Sequence, residues 1–503
     1  MRAATAAVTA SLALAGLSAC GGDSEPAGNA RKGGSITVGA SSLPRVLDPS
    51  LATDARALQA LRAVYTSPLV YRHAEGRDGT ELTPGLARDL PEVSEDGLTY
   101  VFRFHAGLSY SDGTRVRASD FERAVNRARG LDSPYAVLYD GVEAIEADDR
   151  TGRVTLVLEE PDSTFPYVLA LPVSAPVPAG TREADLSSSP PPGIGPYTLA
   201  SVRPGERWVL RRARAFDLPD LPTGNVDEVT IGRSGSPADQ ADRVAIGTTL
   251  DVMQELPPTS QLPEIRSEYA DRYEEHPTAS ALFFTIDPAV PPFDDRRVRQ
   301  AVGVAVDGPT LERLYSGRLE PSCNVLPSSV PGHSGLDPCP VGDRDEPPDL
   351  VRARELVEDA GQVGTVVTVA SSRGVAPSAA VRYFVTTLRK IGLAARAQPT
   401  RGAASLTLEL IAPPIAHPAA FLAGFGERTR DLELDADIDR LLTEPDASSD
   451  DWGEIDRRLV EEAYVAPLGS QRLPTFLSER IDVQGCATFH PIFGVELASL
   501  CLR

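Results

Sequence analysis

The stretch at residues 81–128 constrains the fold of this chain more than any other. Residues 98–104 alternate apolar and polar side chains, which predicts a half-buried strand, and the preceding EDG is a turn signal. A second turn, SDGT, leads to Ser119, which we expect to cap a helix with Asp120 and Glu122 in its first turn. Strand, turn and capped helix therefore follow one another in a fixed order.

This order closely resembles the signature of the extracellular solute-binding protein family 5, the peptide- and nickel-binding proteins of ABC importers. The resemblance continues in four further segments: GIGPYTLASVRPGERWVLRRARAF at 193–216, VDEVTI at 226–231, ALFFTIDPAVPPFDDRRVRQAVGVAVD at 281–307 and DLVRARELVEDAG at 349–361. It covers most of residues 34–470 and weakens toward the carboxyl terminus. The chain is identified as a member of this family.

The same motifs also have purely structural interpretations. The glycines and Pro196 of GIGPYTL most simply make a sharp turn, because the full GxGxxG pattern and its helix are missing. In PPFDDRRVRQAV, Asp294 or Asp295 is expected to cap a helix. Its apolar residues follow helical spacing: Val298, Ala301, Val302 and Ala305. These motifs specify the fold without specifying the ligand.

The resemblance implies an α/β fold of the two-lobe, periplasmic-binding-protein-like (type II) class, with an extra domain inserted in the first lobe. It places a discontinuous lobe I at 34–58, 175–277 and 468–503, the inserted domain at 59–174, and lobe II at 278–467. The hinge is expected near HPTASALFF and VAPLGSQ. In such a protein the lobes close over ligand, and the importer recognises the closed form.

The first 33 residues predict export and anchoring. Arg2 precedes an almost uncharged run at 3–16, which is shorter than the about 20 apolar residues that span a bilayer and is typical of a signal peptide. LSAC resembles the bacterial lipobox, so we expect a signal peptide at 1–19, cleavage before Cys20 and diacylation of its thiol. Residues 20–33 are expected to form a flexible tether. The alternative is an ordinary signal peptide with a chance cysteine. The predicted location is the extracytoplasmic face of the bacterial cell membrane.

Composition narrows the function classes. A formal charge of −22 disfavours nucleic-acid binding, and no later segment has the length and apolarity of a membrane span. The six histidines are scattered, and HExxH, GxSxG and CxxC patterns are missing, so no catalytic residue, metal or cofactor is predicted. A catalytic site assembled from residues that are far apart in the sequence is still possible on this evidence. We expect a monomer.

Four cysteines follow Cys20. Cys323 and Cys339 bracket one loop, and Cys486 and Cys501 bracket the last stretch of the chain. An even number of cysteines in an exported protein predicts disulfides. Four cysteines allow three pairings, of which we favour nearest-neighbour closure. Zinc binding is the competing interpretation, but the spacings do not fit it.

Candidate ligand contacts follow from topology, because ligands of open α/β sheets meet the loops beyond strand carboxyl ends. Each candidate follows a predicted strand: Ser41, Ser42 and Leu43 after SITVGA; Gln254 and Glu255 after TTLDVM; Ser371, Ser372 and Arg373 after TVVTVA; and His417 after LTLELIA. The alternative for every one of them is a solvated loop.

The segment APPIAHPAAF, at 412–421, departs from the family pattern. Peptide-binding members typically carry an aspartate there that pairs with the peptide ammonium, and this segment has no acid. A buried ammonium without a partner is costly. Either Glu255 or another acid substitutes, or the ligand has no free amine at this place.

Three functions remain open. The first is a binder of peptides or similar small polar solutes that serves the permease subunits of an ABC importer. The second is a divergent envelope lipoprotein of the same fold that acts as a sensor or interaction protein. The third is an extracellular hydrolase. A saturable small ligand separates the first from the second, and turnover separates the third from both.

Overall fold

The computed structural model describes residues 31–372, 378–398, 404–445 and 447–503. The predicted signal peptide, Cys20, most of the tether and Arg373 lie outside the described residues.

Twenty strands are assigned in the described ranges. They are β1 (Ser35–Ala40), β2 (Leu69–Tyr71), β3 (Leu82–Pro84), β4 (Glu92–Val93), β5 (Thr99–Arg103), β6 (Val142–Asp148), β7 (Arg153–Leu158), β8 (Tyr197–Arg203), β9 (Arg207–Arg212), β10 (Glu228–Arg233), β11 (Val252–Met253), β12 (Tyr273–Pro277), β13 (Ala281–Ile286), β14 (Leu319–Pro321), β15 (Val366–Ser371), β16 (Ala394–Ala397), β17 (Leu406–Ile411), β18 (Val465–Phe476), β19 (Phe489–His490) and β20 (Gly494–Val495).

The helices of the same ranges lie mostly between strands, as in an α/β protein. They are α1 (Ala55–Arg62), α2 (Ser119–Gly130), α3 (Phe165–Val168), α4 (Pro237–Ile246), α5 (Leu262–Glu268), α6 (Arg296–Val304), α7 (Gly308–Leu314), α8 (Leu350–Asp359), α9 (Ser378–Lys390), α10 (Ala419–Leu422), α11 (Gly426–Thr429), α12 (Leu432–Thr443), α13 (Ser449–Glu461) and α14 (Val483–Cys486).

A five-stranded sheet with the order β11-β1-β10-β9-β8 forms the first unit. Strand β1 is parallel to both β10 and β11, whereas β8, β9 and β10 form antiparallel pairs. Ile36 and Val38 of β1 pack with Trp208 and Ile231 in one buried cluster. The carboxyl ends of β1 and β11 consequently meet at one edge of this sheet.

A four-stranded antiparallel sheet, β4-β5-β7-β6, forms the core of residues 59–174 together with α2. Strand β5 confirms the strand predicted at 98–104. The cap predicted at Ser119 is wrong, because Ala118 occupies the cap position and Ser119 begins α2. The main-chain N–H and hydroxyl of Ser119 both donate to Asp149, at 2.9 and 3.0 Å.

A buried ion pair joins α2 to the chain just after β1. Arg127 and Asp48 are 1% and 0% exposed, and the guanidinium donates to both carboxylate oxygens, at 2.8 and 2.5 Å. Ser50 Oγ and the carbonyls of Arg182 and Ala184 accept the remaining N–H groups of Arg127. Because every partner is satisfied, this pair fixes the four-stranded unit against the first sheet.

The third sheet has seven strands in the order β12-β18-β13-β17-β15-β16, with β14 also on β18. The long strand β18 pairs with β13 through its first half and with β12 through its second. The predicted hinge segments lie at this change of partner. There Thr278 Oγ1 donates to the Gln471 carbonyl at 2.9 Å, and the Gln471 N–H donates to Ser280 Oγ at 3.1 Å. The domain boundaries stay a prediction.

Two sequence predictions are confirmed in the loops and helix starts of these sheets. Disulfides join Cys323 to Cys339 and Cys486 to Cys501, so nearest-neighbour closure is correct. Asp295 caps α6 by accepting from the Arg297 N–H at 2.9 Å. The described residues contain no helix long and apolar enough to cross a membrane.

Candidate ligand-binding site

Ser41 and Glu255, two of the predicted contacts, are brought together at the carboxyl ends of β1 and β11. Both the main-chain N–H and the hydroxyl of Ser41 donate to Glu255 Oε1, at 2.8 Å each. The strand register explains the meeting, because Gly39 of β1 lies opposite Met253 of β11. Glu255 is therefore held in place by a neighbouring strand end.

Arg56, which the sequence analysis did not single out, completes this contact. It lies in the first turn of α1, whose cap is Asp54, and its Nη2 donates to Glu255 Oε1 at 3.1 Å. All three donors converge on Oε1, and within the described ranges Oε2 receives no hydrogen bond. The Glu255 side chain is 14% exposed. One carboxylate oxygen thus stays available to a ligand.

Gln254 is fixed by a relay of amides. The Val495 carbonyl can only accept, so Gln59 must present its amide nitrogen to it, at 2.9 Å. The Gln59 oxygen then accepts from the Gln254 amide nitrogen. This polarity leaves Gln254 Oε1 buried without a donor in the described part of the chain.

Arg56, Gln59, Gln254 and Glu255 line a pocket of about 190 Å³. One wall is α1 and the Gln254–Glu255 turn, and the facing side chains are mostly apolar: Leu256, Leu473, Pro474, Phe489, Ile492, Phe493 and Val495. An engineered cavity of about 150 Å³ holds a benzene molecule. The pocket therefore has room for one side chain of a ligand, and a polar group of the ligand could lie next to Glu255.

The other candidates of the first sheet differ in exposure. Ser42 is exposed. Leu43 is 7% exposed and packs in the core of the first sheet, so only its main chain can meet a ligand. Neither residue lines the pocket around Glu255.

Ser371 and Ser372 lie at the carboxyl end of β15 in the third sheet. Ser371 Oγ donates to the Ser372 carbonyl at 3.1 Å, and the Ser372 N–H donates to the Leu408 carbonyl at 3.1 Å. The second of these hydrogen bonds joins the end of β15 to its neighbour β17. These two serines do not line the pocket around Glu255, so the structure does not bring them together with the first group.

His417 is buried among aromatic rings. Its imidazole meets Tyr167 and Trp452 edge-on, with ring centroids 5.2 and 5.6 Å away, and its Nδ1 accepts from the Ala419 N–H at 3.2 Å. Burial lowers the pKa of His417 to about 4, so the ring is neutral at pH 7. The Ala416 N–H donates to the Tyr71 hydroxyl at 3.0 Å. The acid-free segment therefore packs against residues 59–174.

A second buried cluster lies at the end of α1, next to Phe493 of the pocket lining. Arg62, at the end of α1, donates through Nε to Glu496 Oε1 at 2.8 Å, and His73 Nδ1 lies 3.1 Å from Oε2 of the same carboxylate. The Arg62 guanidinium also covers the Phe493 ring at 4.9 Å. Burial opposes the ionisation of Glu496, but the positive charge of Arg62 holds the pKa of this carboxyl well below its usual range. Helix α1 and the chain around β20 are thereby tied together.

The sequence contains only weak signals for the pocket residues that were not predicted from it. Arg56 and Gln59 are three apart in a helix, so they share one face. Asp54 before them is an N-cap residue type, which would have marked the helix start. The bracketing cysteines mark 486–501 as a fixed segment, and Phe489 and Phe493 lie inside it. No local sequence pattern indicates that this face of α1 packs against the 486–501 segment.

Comparison with known families gives the class of protein to which this fold belongs. The family model described as "Bacterial extracellular solute-binding proteins, family 5 Middle" matches residues 81–446. The chain therefore belongs to family 5 of the bacterial extracellular solute-binding proteins, the class that serves ABC importers. The matching family and relatives are solute-binding proteins.

Among individual relatives, the chain is similar to "Glutathione-binding protein GsiB" of Escherichia coli O1:K1 / APEC. The two are 28% identical over 277 residues, which is 54% of this chain and 51% of that protein. The chain thus matches about half the length of this curated relative.

Two solved structures share the fold over nearly the whole chain. "Clavulanic acid biosynthesis oligopeptide binding protein 2" has a TM-score of 0.82 at 23% identity, covering 94% of this chain and 96% of that one. The ABC transporter substrate-binding protein CtaP of Listeria monocytogenes has a TM-score of 0.77 at 21% identity, covering 94% and 100%. They confirm the two-lobe, type II binding-protein fold predicted from the sequence.

Proposed function

We propose that this protein captures a small peptide between its two lobes and delivers it to the permease subunits of an ABC importer. The observation that carries the proposal is the pocket at the carboxyl ends of β1 and β11, which Glu255 lines together with apolar side chains. Family membership and the glutathione-binding relative support it, since glutathione is itself a tripeptide.

The ligand contacts belong to two groups in this proposal. On the first lobe, Glu255 and Gln254 meet the ligand, and Ser41 holds Glu255. Ser42 and the main chain of Leu43 are further candidates of this lobe, outside the pocket. On the second lobe, the candidates are the residues after β15 and β17: Ser371, Ser372, Arg373 and His417. His417 would act as a neutral hydrogen-bonding ring, because its pKa is lowered to about 4.

Closure would occur about the strands that link the lobes. Lobe I is taken as 34–58, 175–277 and 468–503, the inserted domain as 59–174, and lobe II as 278–467. Ligand shifts the balance between open and closed forms only by its differential affinity for the two. Strand β18 pairs with β13 of lobe II through its first half and with β12 of lobe I through its second, so it provides a connection about which the lobes would move.

The proposal includes a lipid anchor. Diacylated Cys20, exposed by removal of 1–19, would hold a monomer on the extracytoplasmic face of the cell membrane. Residues 20–33 would let the lobes reach the permease. Two or more acyl chains are needed for stable anchoring, because each buried CH₂ contributes about 0.8 kcal/mol.

A thermal-shift screen of the purified full chain tests the ligand class. The panel contains short peptides including glutathione, single amino acids, sugars and nickel complexes. A ligand at about 100 times its Kd adds about 2.7 kcal/mol to the free energy of unfolding, so a peptide should raise Tm. A response to sugars or nickel complexes alone would contradict the peptide proposal, and no response to any compound would favour the envelope-interaction function.

A further inference from the structure

The charges around Glu255 favour a cationic group. Arg56 and Glu255 are the charged side chains that line the pocket in the described structure. Asp54 Oδ2 lies 3.9 Å from Arg56 Nη1, so one guanidinium stands between two carboxylates and the local charge is negative. A cation that enters the pocket gains from this excess of negative charge.

Beside the Arg56 guanidinium, the polar wall offers two acceptor oxygens that receive no hydrogen bond in the described structure. Glu255 Oε2 receives no hydrogen bond within the described ranges, since Ser41 and Arg56 both donate to Oε1. Gln254 lines the same pocket, and the amide relay leaves its Oε1 without a donor too. A group with several N–H donors matches this wall.

The facing wall is apolar and partly uncovered. Leu256 and Leu473 are 43% and 37% exposed, which makes them two of the few large apolar side chains open to solvent in the described structure. Phe489 is held by stacking on His276 at 4.4 Å, and Phe493 lies under Arg62. These rings are fixed before any ligand arrives, so an apolar group can bury area here without reordering the protein.

We propose that this pocket receives the amino-terminal residue of a peptide whose first side chain is apolar. The ammonium donates to Glu255 Oε2, and the side chain packs between Leu256 and Leu473 toward Phe493. The pocket volume of about 190 Å³ suits one apolar side chain. This inference rests on the proposed function and names the part of the peptide that the pocket selects.

Calorimetric titration of the purified full chain with matched dipeptides tests the inference. Leu-Ala should bind, whereas N-acetyl-Leu-Ala and Ser-Ala should each bind about tenfold more weakly or worse, since one loses the charged donor and the other the apolar group. Glu255→Gln should weaken Leu-Ala binding by a similar factor and leave N-acetyl-Leu-Ala unchanged. Glu264→Gln, an exposed carboxylate on α5 outside the pocket, is the control and should bind Leu-Ala as the natural chain does.

Three results would contradict the inference. Equal affinities for Leu-Ala and N-acetyl-Leu-Ala on the natural chain would overturn it even if Glu255→Gln fails to fold. Equal affinity of Glu255→Gln and Glu264→Gln for Leu-Ala would overturn the role of Glu255 and leave the peptide-binding function standing. Failure of every peptide, here and in the thermal screen, would remove the function and the inference together.

Discussion

Glu496 is a buried carboxylate that depends on its neighbours for its charge. Its side chain is 4% exposed, Arg62 lies 2.8 Å from one oxygen and His73 lies 3.1 Å from the other. Burial lowers the pKa of His73, so this ring is a neutral partner near pH 7, and Arg62 carries the compensating charge. The cluster connects α1 to the carboxyl-terminal segment. It therefore helps to fix the position of α1, which carries Arg56 and Gln59.

Glu496→Gln should reduce stability strongly at pH 7. It leaves Arg62, whose side chain is 8% exposed, without a counter-charge, and such a loss typically costs about 3–5 kcal/mol. Urea unfolding measures the free energy, with Glu264→Gln as the exposed control. A loss below about 1 kcal/mol, the value of a surface pair, would contradict the role given to this cluster.

The same substitution should change how stability depends on pH. The pKa of Glu496 is lowered in the folded chain, so its contribution is complete above the ordinary glutamate pKa of 4.5 and is lost as pH falls below it. The variant should therefore show a smaller loss of stability below pH 4.5 than the natural chain. Parallel curves for the two proteins would contradict this assignment.

Single residues also show what a sequence can and cannot indicate. Glu255 and Ser41 were predicted because each follows a strand, and strand ends meet wherever parallel neighbours pair. Ser119 was expected to cap α2, but Asp149, thirty residues away, takes its donors. Competition from a distant acceptor leaves no mark on the local pattern.

At the scale of elements, the carboxyl-terminal segment is the part that shapes the pocket. Strands β19 and β20 pair as a short hairpin, and the Cys486–Cys501 disulfide encloses it. Phe489 and Val495 pack into the core of the first sheet and also line the pocket. The sequence predicted the disulfide from cysteine number and compartment. It did not predict that the enclosed hairpin reaches the ligand site, because that contact depends on packing against α1.

Replacing both cysteines, Cys486→Ser with Cys501→Ser, should lower the free energy of unfolding by about 3 kcal/mol, the loop-entropy value for a loop of about 15 residues. It should also weaken peptide binding, because the hairpin loses its closure. The matched control is Cys323→Ser with Cys339→Ser, which opens a loop of nearly equal length away from the pocket. Chemical unfolding and titration with Leu-Ala measure the two effects. Equal changes in affinity for the two double variants would contradict the role of the hairpin.

At the scale of the whole molecule, the family motifs carried most of the prediction. PPFDDRRVRQAV and the 81–128 stretch specify strands, turns and helix starts that the structure contains, and the type II fold follows from the family. The pocket itself draws on α1, β11, β18 and the last hairpin, which are far apart in the chain. Their meeting is a consequence of tertiary packing. The sequence therefore predicted Gln254 and Glu255 and did not predict the other residues that line the pocket.

The central claim is that each chain binds one small peptide in the cleft. The most direct measurement is the stoichiometry of binding, obtained by isothermal titration of the purified full chain with the best peptide from the thermal screen. We expect saturable binding of one peptide per chain, with a negative heat-capacity change from the apolar surface buried against Leu256 and Leu473. Binding that does not saturate, or that exceeds one peptide per chain, would contradict the claim.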